Sequence, residues 1–256
     1  MDLTIEIILL CIVAFMAGFV DAIAGGGGLL QIPAGLILLP QYPVTTVIGT
    51  LKIPAFSGTS FAAIQYAKKV SINYKLVAVM AAFAFCAAFA GSSLLNAVSN
   101  QFMKPFLLIV LILVAIYTYS NKNFGTNTEK NHASKQQWQY SIVISLVIGF
   151  YDGFIGPGAG SFLVLAFIGM MGFDFLKASA NAKFVNMATN LGSIIFFMIK
   201  GKIIYTIALP MAICNALGGI VGARLAILRG NTFIRVFFLA IICATILRFA
   251  YDVFFK

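Results

Sequence analysis

Gly18-Phe19-Val20-Asp21-Ala22-Ile23-Ala24-Gly25-Gly26-Gly27-Gly28 returns, 131 positions later (149 − 18), as Gly149-Phe150-Tyr151-Asp152-Gly153-Phe154-Ile155-Gly156-Pro157-Gly158-Ala159. Each stretch carries an acidic residue inside an apolar run and then interrupts that run with glycine. The same shift aligns Lys52 with Lys183, Lys69 with Lys200, Tyr74 with Tyr205 and Gly91 with Gly222 without a gap. Matched acidic and basic residues inside apolar segments are a poor product of chance. The pattern reads as a tandem duplication.

Outward from these motifs the chain divides into apolar segments. In the first copy they run roughly 3–23, 27–40, 44–67, 74–97 and 102–120; in the second, roughly 139–155, 158–171, 176–199, 203–228 and 232–254. A span needs about 20 apolar residues, so eight segments are near span length and the second of each copy is short. The polar stretch 121–137 reads as an extramembrane linker between a repeat at 1–120 and a repeat at 138–256, with Trp138 and Tyr140 as interfacial aromatics. Of the 256 residues, 61% are hydrophobic and 9% charged, with mean hydropathy +1.01. Soluble domains carry about 25% charged residues, so a water-facing surface is excluded. Continuous apolar runs are not the alternation of a barrel strand. The expected fold is an all-α polytopic membrane protein of two tandem repeats, inverted relative to each other, with a short helix after each Gly-rich break. The N-terminus, Met1-Asp2 with Glu6 and no cation, does not read as a signal peptide.

Composition also narrows the chemistry. Cys11, Cys86, Cys214 and Cys243 are scattered through apolar stretches, and His132 is the single histidine. Neither a metal site nor a cofactor is expected. The net charge of +10 sits at the ends of apolar runs, which suits lipid headgroups and cytoplasmic loops better than nucleic acid. Arg224 and Arg248 lie near segment ends, placed to snorkel.

Four consecutive glycines cost a helix about 1 kcal/mol each relative to alanine, and Pro157 removes a backbone donor. Broken helices at matching points of two repeats mark a transporter's binding site. The N-terminal ends of the short segments, at Gly27–Gly28 and Gly158–Gly160, offer unpaired N–H groups and a positive dipole end, which suits an anion; Gly25, Gly26, Gly156, Pro157 and Ser161 complete the candidate binding residues around them. Lys52, with Thr50 beside it, and Lys183, followed by Asn186 and Asn190, would add charge and donors. For Asp21 and Asp152 two readings stand. The carboxylates either cap the broken helices or pair with the lysines as structural partners, or they take up and release protons that drive the anion.

These residues resemble the sulfite exporter TauE/SafE family. The first motif with Pro33 and Ile48-Gly49-Thr50-Leu51-Lys52 carries the resemblance in one half. Gly149 through Phe162 and Ala178-Ser179-Ala180-Asn181-Ala182-Lys183 carry it in the other, where they look like one branch of membrane transporters in that family. One departure is Leu51, where the family usually has Asn. The resemblance implies export or uptake of sulfite, organosulfonates or related sulfur-containing anions across a bacterial inner membrane.

The expected function is therefore transport of a small anion by a multi-pass protein of the bacterial inner membrane, with no catalytic residues. The alternatives are a passive anion channel and, from the two membrane aspartates, an intramembrane aspartyl protease. The expected partners are the anionic substrate and the lipid bilayer, and homo-oligomers are left open. Lys and Arg outside the spans favour neither inverted nor parallel repeats; the broken helices favour inversion, with both termini outside.

Overall fold

The computed structural model describes residues 3–98 and 134–255, and every regular element among them is an α-helix. In lipid the backbone has no water to bond, so each apolar run satisfies its own N–H and C=O groups by coiling. The first half holds α1 (Leu3–Ala24), α2 (Gly27–Leu38), α3 (Val44–Ala67) and α4 (Tyr74–Ala97). The second holds α5 (Ser134–Phe154), α6 (Ala159–Met171), α7 (Phe175–Ile199) and α8 (Tyr205–Phe255). The apolar segment at 102–120, most of the linker and His132 lie outside the described residues.

Five of these helices are long and apolar enough to cross a membrane: Ile5–Ala24, Val44–Ala67, Tyr74–Ala97, Phe175–Ile199 and Tyr205–Ile234. The sequence suggested more spans. The difference lies in 102–120, in the C-terminal segment, and in α5, whose first turns are Ser134-Lys135-Gln136-Gln137. Those four residues, at the end of the polar stretch 121–137, are helical, because polar side chains with fair helix propensity can extend a helix into water. The segments at 203–228 and 232–254 follow one another in α8 with a break at Gly230, whose φ of 69° is not helical.

Polar residues at segment ends set several boundaries. The Asn73 side chain accepts from the Leu76 N–H at 3.2 Å and starts α4. The Asp174 carboxylate accepts from the Lys177 N–H at 2.8 Å and starts α7. Each satisfies one of the donors that a helix leaves open at its beginning.

The helices pack across the halves rather than within them. The most extensive contacts are α1 on α8, α4 on α5, α3 on α8 and α4 on α7, with α3 against α7 at the centre. Under the shift of 131, α1 on α8 exchanges with α5 on α4. Glycine permits both approaches. A Cβ on Gly222 would lie 2.4 Å from the Phe19 carbonyl oxygen, and one on Gly91 would lie 2.2 Å from that of Phe150. Without side chains at these points the backbones come close enough to pack by dispersion alone, the usual source of helix association in lipid. Trp138 and Tyr140 are only partly buried and pack against the largest apolar core cluster.

Candidate functional site

Two helix breaks meet at the centre of this bundle. After α1, Gly25 adopts φ 75° and its N–H returns to the Asp21 carbonyl at 2.7 Å. After α5, Gly156 and Gly158 adopt φ 91° and 76°. Only glycine takes up such angles without cost. The breaks touch: a Cβ on Gly25 would lie 2.3 Å from the carbonyl carbon of Gly160. The Ser161 hydroxyl, donating to the Ala24 carbonyl at 2.8 Å, ties one break to the other.

Each break holds an aspartate, and each aspartate holds the lysine of the opposite half. The Lys52 ammonium donates to Oδ1 of Asp152 at 2.9 Å and to its carbonyl at 2.6 Å. The Lys183 ammonium donates to Oδ2 of Asp21 at 2.9 Å and to the Asp21 carbonyl. Each cation therefore meets a full negative charge and the carbonyl end of a broken helix together. Side-chain exposure is 6% at both Lys52 and Asp152, and 1% and 14% at Lys183 and Asp21. Charges this deep persist only when paired and hydrogen-bonded.

A cavity of about 50 Å³ opens between the breaks. At about 10–15 Å³ per water it has room for about three to five waters, or one oxyanion of similar size. Asp21, Gly25, Gly27, Gly28 and Lys52 line it from the first half. Asp152, Gly156, Gly160, Asn186 and Asn190 line it from the second.

The remaining residues marked by the sequence take other places. Lys183 reaches the cavity only through Asp21. Thr50 turns away, donating to the Thr46 carbonyl at 2.7 Å and accepting from the Ile204 N–H at 3.0 Å, so it fastens α3 to the start of α8. Gly26 and Gly158 are the residues that precede α2 and α6. The Pro157 carbonyl accepts the Tyr151 hydroxyl at 2.6 Å. Arg224 is exposed and donates to Gln65 at 3.4 Å.

Two wall residues had gone unmarked. Gln31 donates to the Leu51 carbonyl at 2.9 Å and accepts from Asn215 at 2.8 Å, and both line the cavity. Each is an uncharged polar residue inside an apolar run, which is the signal that could have found it. The counterparts at the 131-residue shift are Phe162 and Ala84, so a search for matching positions passes over them. Leu51 also faces the cavity.

Several donors at this wall bind no protein group among the described residues. The N–H groups of Gly27 and Gly28, at the start of the 12-residue helix α2, make no hydrogen bond among the described residues. Asn186 is 6% exposed, and its oxygen accepts from Asn190 at 3.2 Å. That fixes the amide with its NH2 group free of any protein acceptor among the described residues.

Broken helices with paired charges around a small polar cavity, within a bundle of membrane-length helices, define a membrane transporter. The chain belongs to the sulfite exporter TauE/SafE family, whose sequence profile matches residues 10–249. Among curated proteins it is 34% identical to the Sinorhizobium "Probable membrane transporter protein ORF9", over 95% of this chain and 92% of that one. It is 33% identical to a "Probable membrane transporter protein" of Haemophilus influenzae, over 92% and 91% of the two chains. The figure is also 33% for "Probable membrane transporter protein YfcA" of Escherichia coli K12, over 87% and 81%. No solved structure matches the chain significantly.

Proposed function

We propose that this transporter moves a small sulfur-containing anion, sulfite or an organosulfonate, across the bacterial inner membrane. The anion sits in the cavity between the two breaks. Unspent donors in a buried place carry the reading: the Gly27 and Gly28 N–H groups at the positive end of α2, and the free Asn186 amide opposite them. An empty buried donor is costly unless a ligand or water takes it. Lys52 and Lys183, paired with the two aspartates, keep the empty site neutral, and a carboxylate of the site links the anion's movement to protons.

The test is flux of sulfite and of methanesulfonate into liposomes containing the purified protein. Asn186→Leu removes one donor to a charged ligand, worth about 1.5–3 kcal/mol. The half-saturating concentration is expected to rise about tenfold or more while the protein still inserts. Absence of flux for either anion in the unaltered protein would end this reading.

The two repeats form inverted units with both termini on the periplasmic side. Support comes from the exchange of Lys52–Asp152 for Lys183–Asp21 under the 131-residue shift and from the broken helices in matching places. Alkaline phosphatase fused after Lys256 is expected to be active. A C-terminal fluorescent protein that lights up in the cytoplasm would point to parallel units instead.

A further inference from the structure

The two aspartates are equivalent in sequence, yet they are dressed differently. Asp152 has both carboxylate oxygens occupied by donors. Oδ1 accepts from Lys52 at 2.9 Å, and Oδ2 accepts from the hydroxyl of Thr189. That hydroxyl has one proton, and Asp152 is its nearest acceptor. Both Asp152 oxygens therefore already accept a donor, one of them from a full cation.

Asp21 crowds its donors onto one oxygen. Oδ2 accepts from Lys183 at 2.9 Å and from Thr59 at 3.3 Å, while Oδ1 accepts from nothing among the described residues. Asp21 lines the cavity, and its side chain is more exposed than that of Asp152, at 14% against 6%. The difference comes from the helix that faces each aspartate. Asp152 meets Thr189 on α7, and the matching position on α3 is Gly58. Asp21 is reached by Thr59 instead, whose counterpart is Asn190.

Charge accounting gives this asymmetry a use. Asp21, Asp152, Lys52 and Lys183 sum to zero, so a monoanion entering the cavity adds one uncompensated buried charge. One proton taken up with it restores the balance. The geometry points to Oδ1 of Asp21 as the acceptor of that proton, with Asp152 ionised throughout as the fixed partner of Lys52. This assignment rests on the anion reading above. Protonation frees the Lys183 charge to face the anion and turns Oδ1 from an acceptor into an O–H donor aimed into the cavity. No bond other than the O–H forms or breaks.

The groups around Asp21 are consistent with one titrating site. Lys183 approaches from α7 and Thr59 from α3, with Lys52 and Asp152 across the cavity. Tyr66 is buried close by, but its hydroxyl donates to the Ala22 carbonyl at 2.9 Å. From α8, Asn215 lines the same cavity, and Gly218 and Gly222 pack on α1 at Phe15, Phe19 and Ala22; none of the three titrates.

Anion affinity then rises as pH falls, by up to tenfold per pH unit where Asp21 is ionised when empty and protonated when occupied. The decisive measurement needs no ligand. Infrared difference spectra of the full chain in liposomes, taken across a pH titration, report the C=O stretch of a protonated carboxyl. One such band is expected to vanish in Asp21→Asn and to persist in Asp152→Asn. Loss of the band in Asp152→Asn alone, or no band that either variant removes, overturns the assignment. Methanesulfonate, whose charge does not titrate in this range, provides the second arm. Its half-saturating concentration should track pH in the unaltered protein and become flat in Asp21→Asn. Uptake that remains equally pH-dependent in Asp21→Asn overturns the assignment and leaves anion transport standing. An infrared band assigned to Asp21, with no uptake of either anion, would leave the proton site standing and end the anion reading.

Discussion

Lys52→Gln is expected to destabilise the protein by about 3–5 kcal/mol and to abolish sulfite uptake. That is the cost of leaving one member of a buried ion pair without its partner. Asp152 is 4% exposed, and Lys52 supplies the neutralising charge for its carboxylate along with a bond to its carbonyl. From sequence, Lys52 reads as an anion attractor whose loss should raise the half-saturating concentration and spare insertion. The cross-half pair adds a structural task. Lys52→Gln with Asp152→Asn separates the two: the double variant removes both charges, so thermal stability in detergent should largely return while transport stays absent. A single Gln variant as stable as the parent would mean that Asp152 is not held by this lysine.

Gly25 carries the second large effect. Its φ of 75° and the 2.3 Å between a notional Cβ and the Gly160 carbonyl carbon leave no place for a side chain. Backbone lies on the other side of that contact, so no rotamer change can relieve it. Gly25→Val should separate the two breaks, abolish transport and prevent recovery of monodisperse protein. Gly169→Ala is the matched control, because a Cβ there meets nothing within 4 Å. Its yield and flux should equal the parent's. A folded, active Gly25→Val protein would show that the breaks need not touch.

Much of the helical order was legible because lipid rewards one pattern. The segments at 44–67 and 74–97 coincide with α3 and α4, since apolar runs there end abruptly at Lys68, Lys69 and Asn73. The breaks were legible for the same reason, as glycine and proline are expensive inside a helix. Which lysine binds which aspartate was not. Lys52 and Asp152 are 100 positions apart, and nothing in local periodicity says that the partner lies in the other half. The different dress of Asp21 and Asp152 was hidden too. It depends on Thr59 and Thr189, which occupy non-equivalent positions one residue out of register under the 131-residue shift.

The crossing of the halves has a consequence for how the protein is made. When ribosome and insertion machinery have released only α1 to α4, the glycine-notched side of α1 has no α8 to close on, and α4 has no α5. Asp21 then sits in the membrane without Lys183, and Lys52 without Asp152. The half-made chain therefore carries a carboxylate and an ammonium that each lack the partner they hold in the finished bundle. Slow translation of the second half would prolong that unpaired interval.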